Sequence, residues 1–341
     1  MSKIVTFGEV LQRFKPEEGI RLVQATEYKV DYGGSEANVA SSLALLGDDV
    51  ALITKLPNNP LGQAATIKFR GLGVDTSKIH YGGARLGSYY FEKGASVRGT
   101  KVVYDRAGSS FATINQDEFI WSEILMGVDY FYFSGITAAL SASLRKILLQ
   151  ALEYCKQHEV GVICDLNYRG RLWSPQEAQS FARIIMPYVT VCIANDEDFE
   201  QALGIKVFDG DMSRGISQKD SFIAGMRKVV ELYPNVKVMA SVLRDIYSVE
   251  ESTWMALLLV DGEVYESPKY AMHVLEGVAG GDAFGAGLTH SLLNKYSNQK
   301  CINFAIAASV TKLTIKGDLN IATVEDIEAV MASGDAARIS R

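Results

Sequence analysis

Long hydrophobic runs and dense basic clusters are both missing from this sequence. The most apolar short run, Trp254–Val260, falls well short of the roughly 18 residues that a membrane span needs. The formal net charge is −6, and no run of lysine and arginine offers counter-charges to a nucleic-acid backbone. We therefore expect no membrane and no nucleic acid as partners. Because the N-terminus passes directly into a strand-like pattern without an apolar signal region, we expect a cytoplasmic protein.

Cysteine and histidine are scarce, with four of each in 341 residues. The cysteines are widely spaced in apolar segments and form no C-x-x-C pair, which predicts buried, unpaired thiols in a reducing compartment. The histidines lack the spacing of a metal pair, and the sequence contains no G-x-x-x-x-G-K-[ST], G-x-S-x-G or H-E-x-x-H motif. P-loop, serine-hydrolase and zinc-enzyme chemistry are therefore disfavoured.

What the sequence does contain is an alternation of short β-like runs with longer amphipathic runs. This pattern is typical of a mostly parallel sheet covered by helices on both faces. The predicted strands are 4–7, 50–54, 130–133, 160–165, 191–194 and 236–242, with a hairpin turn at Asp261-Gly262. The predicted helices are 35–46, 61–72, 141–158, 175–185, 196–203, 219–232, 281–294, 300–313 and 323–332.

Two segments, 11–32 and 83–111, interrupt this rhythm. The second is rich in tyrosine, valine, arginine and glycine, which predicts a small antiparallel sheet added to the main layer. We expect a main α/β domain of residues 1–10, 33–82 and 112–341. Residues 11–32 and 83–111 are then expected to form one discontinuous β lid.

One carboxylate lies among five glycines in the stretch GVAGGDAFGAG, residues 277–287. If a helix begins here, the backbone N–H groups of Ala279, Gly280 and Gly281 form a seat for an anion at its N-terminus. Asp282 would then lie beside the anion, where it could accept a proton from a hydroxyl that attacks phosphorus. A glycine-rich turn in which Asp282 only caps the helix fits the spacing equally well.

Together with GGSEANVA at residues 33–40, this stretch is similar to the two signatures of the ribokinase-like (PfkB) carbohydrate kinases, G-G-x-x-x-N-x-A and G-x-G-D-x-F-x-x-G. The resemblance implies a ribokinase-like fold: a doubly wound, mostly parallel sheet flanked by helices, with a small β-sheet lid. It also implies phosphoryl transfer from ATP with Mg²⁺. Asp282 would be the catalytic base, and Ala279, Gly280 and Gly281 would surround the transferred phosphate.

Four further stretches resemble the branch of this family that phosphorylates 2-keto-3-deoxygluconate (2-dehydro-3-deoxy-D-gluconate) at its 6-hydroxyl. They are RLGSYYFEKGAS (85–96), VVYDRAGS (102–109), CDLNYRGRLW (164–173) and IKGDLN (315–320). A sugar acid needs cationic partners, and the paired donors of an arginine match two carboxylate oxygens. Arg106 and Arg169 are the candidates for that clamp. The substrate-binding residues implied by the resemblance are Gly34, Asn38, Tyr89, Tyr104, Arg106, Arg169 and Asp318.

The same resemblance implies a nucleotide site and a magnesium site. Asn195 and Asp198 match the family's N-x-x-E element, which holds Mg²⁺ through water. A monovalent cation is a further candidate cofactor. The implied nucleotide-binding residues are Asn167, Ser241, Leu243, Arg244 and Gly280.

Three positions depart from the family's pattern. Asp198 replaces a Glu, so its carboxylate reaches one methylene less far towards metal-bound water. Glu276 replaces an Asp, and Ala279 replaces a Gly. Because an alanine with positive φ is strained, we expect phosphate binding to be weaker or re-aimed.

Two alternative functions fit the same residues. One is a fructokinase or another neutral-sugar kinase, which would not need the two arginines. The other is a sugar-acid sensor that keeps the fold but has lost turnover through the three departures. An unpaired edge of the lid sheet would invite a second copy of the chain, so we expect a homo-oligomer formed through the lid.

Overall fold

The computed structural model describes residues 3–208 and 213–333. In chain order its strands are β1 (Ile4–Phe7), β2 (Leu11–Lys15), β3 (Lys29–Gly33), β4 (Val50–Ile53), β5 (Lys55–Leu56), β6 (His80–Tyr81), β7 (Gly87–Glu92), β8 (Lys101–Asp105), β9 (Tyr130–Ser134), β10 (Gly161–Asp165), β11 (Val191–Ile193), β12 (Val238–Ile246), β13 (Glu251–Val260), β14 (Glu263–Glu266) and β15 (Tyr270–His273).

The α-helices are α1 (Ser35–Leu45), α2 (Pro60–Gly71), α3 (Trp121–Ile124), α4 (Gly135–Leu140), α5 (Ala142–Gln157), α6 (Pro175–Ile185), α7 (Lys219–Leu232), α8 (Gly280–Leu293), α9 (Asn298–Leu313) and α10 (Val324–Ser333). Short 3₁₀ helices occupy Met186–Tyr188 and Gly215–Gln218, and a π-helix occupies Asp198–Ala202.

The main layer is a nine-stranded sheet with the order β14-β13-β12-β11-β10-β9-β1-β4, in which β15 also pairs with β13. Every neighbouring pair from β4 to β12 is parallel. The pairs that involve β13 are antiparallel. The predicted mostly parallel sheet is therefore confirmed. The carboxyl ends of its parallel strands meet at one edge, where ligands bind in open α/β sheets.

The core lies on both faces of this sheet, as alternation along a strand requires. On β9, Phe131 and Phe133 pack with the apolar faces of α5 and α6, whereas Tyr132 faces α1, α8 and α9. All three side chains are fully buried. Because both faces of the central strands are covered, these strands are apolar throughout, which is what made them recognisable in the sequence.

Several local predictions are confirmed by the backbone. The predicted helix 141–158 is α5. The side chain of Ser141 caps it by accepting a hydrogen bond from the backbone amide of Leu144 at 3.2 Å. Asp261 and Gly262 have φ of 50° and 83°. Both positive values are those of a type I′ turn, and they join β13 to β14.

Other predictions were wrong in detail. The predicted strand 236–242 runs instead from Val238 to Ile246, because it forms a long antiparallel pair with β13. The predicted helix 196–203 is a π-helix at Asp198–Ala202, in which the amide of Leu203 donates to the carbonyl oxygen of Asp198 at 3.0 Å. The short helices α3 and α4 were not predicted.

A second sheet has the order β3-β2-β7-β8 and is drawn from the two interrupting segments. Its outer pairs are antiparallel, but β2 and β7 are parallel, so the prediction of an all-antiparallel sheet was wrong. Each segment leaves the main sheet along β2 or β7 and returns along β3 or β8, so the two outgoing strands run in the same direction.

The division into domains stays a prediction, and residues 1–2, 209–212 and 334–341 lie outside the described part.

The four cysteines are buried and unpaired, as predicted. In the described part of the chain, no helix is both long and apolar enough to cross a membrane. The cytoplasmic location stays a prediction.

Candidate active site

A cavity of about 280 Å³ opens at the carboxyl ends of β1, β10 and β11, beneath the second sheet. Both sheets contribute to it, and so do the N-termini of α1 and α8. Thirteen of the predicted site residues line this cavity. They are Gly34, Asn38, Tyr89, Tyr104, Arg106, Asn167, Arg169, Asn195, Arg244, Ala279, Gly281, Asp282 and Asp318.

The N-terminus of α8 has the form that the anion seat requires. Ala279 precedes the helix in the left-handed conformation, with φ 59° and ψ 15°. Because its side chain cannot accept a hydrogen bond, it leaves the first-turn amides uncapped and available to an anion. A Cβ on Gly280 would lie 3.2 Å from Leu313 of α9, whereas a Cβ on Gly281 would meet nothing within 4 Å. Close helix packing therefore explains Gly280, and Gly281 leaves open space beside the seat.

Asp282 is buried in the first turn of α8, with an exposed fraction of 8%. One carboxylate oxygen accepts from the hydroxyl of Ser35 at 2.8 Å, and the other accepts from the side-chain Nδ2 of Asn38 at 2.7 Å. Burial raises the pKa of Asp282, and these two hydrogen bonds only partly offset that rise. A carboxylate with a raised pKa that lines a cavity can serve as a general base.

Gly34 brings the start of α1 against the end of β1. Its φ is 146°, and a Cβ at this position would lie 2.0 Å from the carbonyl oxygen of Glu9. Only glycine fits such an approach. The consequence is that Ser35 and Asn38, on the first turn of α1, reach Asp282 on α8.

The two arginines predicted to clamp a carboxylate are in different situations. Arg106 donates from Nε to the carboxylate of Glu9 at 2.7 Å, and Nη2 contacts the same carboxylate. Its charge is thus already matched by the chain. Arg169 donates from Nη1 to the carbonyl oxygen of Tyr168 at 2.9 Å. Within residues 3–208 and 213–333 it has no carboxylate partner at ion-pair distance. The same holds for Arg244, which also lines the cavity and is a predicted nucleotide residue, so Arg169 is the cation left for an acidic acceptor.

Tyr89, Tyr104 and Asp318 line the side of the cavity nearest the second sheet. The hydroxyl of Tyr89 donates to the carboxylate of Asp318, and both residues are buried. Tyr104 is 47% exposed, and its ring lies 5.5 Å from the guanidinium carbon of Arg106. These side chains offer hydroxyl, carboxylate and ring surfaces to a polar ligand.

Of the five predicted nucleotide residues, Gly280 begins α8 and is not among the residues that line the cavity. The other four divide into two groups. Asn167 and Arg244 line the cavity, and Asn167 donates to Asp165 at 2.9 Å. Ser241 and Leu243 are fully buried in strand β12. Ser241 donates to the carbonyl oxygen of Ala194 at 2.7 Å, and Leu243 packs in the core. The structure does not bring these two side chains to the cavity.

The predicted magnesium residues are also separated. Asn195 lines the cavity, but Asp198 is turned away from it and accepts from the amides of Tyr168 and Asn195, both at 2.7 Å. Burial raises the pKa of Asp198 to about 6. Among the described residues, no group of three or more acids, histidines or cysteines could hold a metal. The role of Asp198 through water stays a prediction.

Several cavity residues were missed in the sequence. Ser35 and Glu36 belong to the GGSEANVA stretch, and Asp165 belongs to CDLN, so their motifs could have revealed them. Glu9 follows β1 with no local signal of its own. Its importance depends on Arg106, which lies 97 residues later in the chain.

One cavity thus contains uncapped helix amides, a buried acid and an arginine without a carboxylate partner, a combination suited to phosphoryl transfer to a polar acceptor. Residues 1–323 match the model of the pfkB family carbohydrate kinases. The chain belongs to this family, and it is a sugar kinase.

Individual relatives agree with this class. A crystal structure of a 2-dehydro-3-deoxygluconokinase from Thermotoga maritima is 41% identical, with a TM-score of 0.93, and covers 97% of this chain and 100% of its own. A 2-dehydro-3-deoxygalactonokinase from Haloferax volcanii is 31% identical over 98% of both chains. A protein from Escherichia coli provisionally named ribokinase II, solved with ATP and Mg²⁺, is 14% identical with a TM-score of 0.79, over 97% of this chain and 99% of its own. This last likeness shows the fold alone, which confirms the ribokinase-like prediction.

Proposed function

We propose that the protein transfers the γ-phosphoryl group of ATP to the 6-hydroxyl of 2-dehydro-3-deoxy-D-gluconate, giving 2-dehydro-3-deoxy-6-phosphogluconate and ADP. The observation that carries this proposal is the unmatched Arg169 in the same cavity as Asp282. A neutral sugar would leave that cation without a partner, whereas a sugar acid supplies one. The kinases of Thermotoga and Haloferax, named for acidic deoxy sugars, support the same substrate class.

Asp282 takes the proton of the attacking 6-hydroxyl as the new O–P bond forms and the bond to the β-phosphate oxygen breaks. The amides at Gly280 and Gly281 stabilise the charge on the transferring group, a contribution of roughly 3 kcal/mol for one well-placed donor. Ser35 and Asn38 orient the base through their two hydrogen bonds to it. The sheet formed by β2, β3, β7 and β8 covers the acceptor and excludes water from the transferring phosphoryl group.

We also propose Mg²⁺ as the cofactor, which would neutralise phosphate charge during transfer. The described residues fit a cation held largely through water. Within residues 3–208 and 213–333, one oxygen of buried Asp165 has no hydrogen-bond partner, and Asp165 and Asn195 both line the cavity. Oxygen ligands and retained waters are what Mg²⁺ prefers. A requirement for a monovalent cation stays a prediction.

An assay of ADP release tests the substrate. The panel contains 2-dehydro-3-deoxy-D-gluconate, its galactonate epimer, gluconate, fructose and ribose, each with ATP and Mg²⁺. We expect the two keto deoxy acids to give the highest kcat/KM. Turnover of fructose alone would indicate a neutral-sugar kinase. Tight binding of a sugar acid without ADP release would indicate a sensor.

Arg169→Ala sharpens this test. We expect its KM for the sugar acid to rise about tenfold to hundredfold, because a hydrogen bond to a charged group contributes about 1.5–3 kcal/mol. The matched control is Arg171→Ala, an exposed arginine two residues away that donates to the carbonyl oxygen of Val102 at 3.3 Å. An equal loss with every sugar in Arg169→Ala would assign that arginine to folding or to the nucleotide instead.

For assembly, we propose a homo-oligomer formed through the second sheet. An apolar row crosses its outer face, because register aligns Val30, Phe14, Tyr90 and Val103. Val30 and Val103 are 50% and 52% exposed, so the row ends in solvent in the single chain. Light scattering should give a multiple of the chain mass that Val103→Glu reduces. Val97→Glu, at a 99% exposed position off the row, is the control, and a monomeric unmodified chain would contradict the proposal.

A further inference from the structure

Arg13 is the largest of the fully buried side chains in the described part of the chain. Strand alternation puts Leu11, Arg13 and Lys15 of β2 on the inner face of the second sheet. The Arg13 guanidinium lies 4.4 Å from the centre of the Phe91 ring. An arginine buried to 2% exposure needs charged partners, because burial of an unpaired cation is costly.

Those partners come from two different parts of the main domain. Nη2 of Arg13 donates to the carboxylate of Glu276, which is fully buried. Nη1 lies 2.8 Å from an oxygen of Asp318. One guanidinium therefore joins the strand β2 to the segment before α8 and to the segment after α9.

Glu276 belongs to the turn that leads into the anion seat. Its amide donates to the carbonyl oxygen of Leu313 at 3.2 Å, and its own carbonyl oxygen accepts from Val278 at 2.9 Å. Ala279, in the left-handed conformation, follows immediately. The Glu276 side chain, held by Arg13, therefore anchors one end of a short turn whose other end is Ala279, next to the proposed phosphate-binding amides.

Asp318 belongs to the acceptor side of the cavity. It lines the cavity and accepts from the hydroxyl of Tyr89. An acceptor that contacts Tyr89 or Asp318 thus contacts the residues that hold Nη1 of Arg13. The opposite edge of the same guanidinium holds the seat through Glu276.

We propose that Arg13 is a positioning residue through which acceptor binding tightens nucleotide binding. Acceptor contacts with Tyr89 and Asp318 fix the guanidinium, and the guanidinium fixes Glu276 and the turn that carries the seat. Coupling of this kind is reciprocal, so the nucleotide tightens the acceptor by the same factor. The inference rests on the proposed function only in taking the phosphorylated sugar as the acceptor.

The test measures binding of Mg²⁺ with a non-hydrolysable ATP analogue by calorimetry, with and without saturating acceptor. In the unmodified chain we expect the acceptor to lower the Kd of the analogue at least about fivefold, the lower end of usual coupling. In Arg13→Met we expect less than about a twofold change, with the Kd of the analogue alone preserved. Arg13→Met should fold, because Glu276 keeps Lys15 and Asp318 keeps Tyr89.

Arg85→Met is the matched control. Arg85 comes from the segment that supplies β7. Like Arg13 it has a carboxylate partner at 2.8 Å, but that partner is Asp105 of β8. The Arg85–Asp105 pair does not contact the turn before α8, so the coupling between acceptor and nucleotide binding should be unchanged. Glu276→Asp, which shortens the link without removing its charge, is the second variant and should lose coupling as well.

Coupling that survives in both Arg13→Met and Glu276→Asp would overturn the inference. An unmodified chain in which the acceptor leaves the Kd of the analogue unchanged would also overturn it. So would an Arg13→Met variant in which the Kd of the analogue rises by the same factor with and without acceptor. A sugar acid that binds and couples but is never phosphorylated would count against the proposed function alone.

Discussion

Two buried acids, Glu276 and Asp282, lie six residues apart on either side of the turn into α8, and their surroundings are opposite. Glu276 is held by the cations Arg13 and Lys15. Asp282 is held by the neutral donors Ser35 and Asn38. Burial acts to raise both pKa values, but the two cations outweigh it at Glu276 and lower its pKa, whereas the pKa of Asp282 stays raised.

The difference separates a structural acid from a reactive one. A carboxylate matched by buried cations stays ionised and gains stability from them, but it is a poor proton acceptor. A carboxylate that is buried among neutral partners has a raised pKa, which makes it a better proton acceptor. In the proposed mechanism the base therefore lies beside the phosphate-binding amides, and the structural ion pair of Glu276 lies behind them.

Removal of the reactive acid should have the largest effect. We expect Asp282→Asn to lower kcat by about 100-fold or more, because a positioned general base contributes roughly 10²–10⁴-fold. Nucleotide binding should be preserved. Steady-state kinetics with the best acceptor of the panel, together with calorimetry of nucleotide binding, checks both statements.

Stability should respond in the other direction. The raised folded pKa of Asp282 means that its ionised form destabilises the fold above that pKa, and the asparagine variant lacks this effect. We therefore expect an unchanged or increased free energy of unfolding at pH 7. Unchanged turnover would reject Asp282 as the base, and a large loss of stability would assign it to the fold instead.

Removal of the structural acid should give the reverse pattern. Glu276→Gln leaves Lys15 without its carboxylate and Arg13 with Asp318 alone. Breaking a buried ion pair from one side costs about 3–5 kcal/mol. We expect a loss near 3 kcal/mol, because Arg13 keeps one partner. Urea unfolding at pH 7 measures it, and a stability equal to that of the unmodified chain would show that the pair contributes nothing.

The contrast between these acids also shows how far the sequence could lead. Asp282 was predictable because it lies in a glycine-rich stretch at a helix start, where its chemistry is local. Glu276 was visible only as a departure from the family's aspartate. The residue that explains it, Arg13, lies 263 positions earlier in the chain, and no local pattern marks it.

The same distinction holds for the fold. The apolar strands of the parallel sheet were predicted because burial on both faces leaves a continuous signal in the sequence. The parallel pairing of β2 and β7 and the long β12–β13 pair were not, because pairing depends on where distant segments meet. Ser241 and Leu243 were assigned to the nucleotide by resemblance alone, which gave no information on which way each side chain points.

A third buried charge, Lys312, tests whether a buried cation near the start of α8 stabilises the fold when no carboxylate pairs with it directly. Lys312 is fully buried and donates to the carbonyl oxygen of Ile315 at 3.1 Å. Burial lowers its pKa to about 8 despite the nearby acids Asp318 and Glu276. A folded pKa below the unfolded value means that the charged lysine costs stability, fully so below pH 8 and progressively less as the pH rises towards the unfolded pKa.

We therefore expect Lys312→Met to raise the free energy of unfolding at pH 7 by an amount on the order of 1–3 kcal/mol. The gain should shrink between pH 8 and pH 10 as the lysine of the unmodified protein loses its charge in the fold. Urea unfolding at pH 7, pH 8 and pH 10 measures both. A destabilised variant would show that Lys312 is needed as a counter-charge, as Arg13 and Lys15 are for Glu276.

The smallest effect concerns the donors that hold the base. Ser35→Ala removes one of the two hydrogen bonds that oppose the rise in the pKa of Asp282. Because the ionised base loses a donor, its pKa should rise further and the acid limb of the kcat profile should move to higher pH. On the plateau kcat should fall by no more than about tenfold, since one neutral hydrogen bond contributes about 1 kcal/mol. An acid limb that stayed in place while the plateau fell would mean that Ser35 orients the acceptor rather than the base.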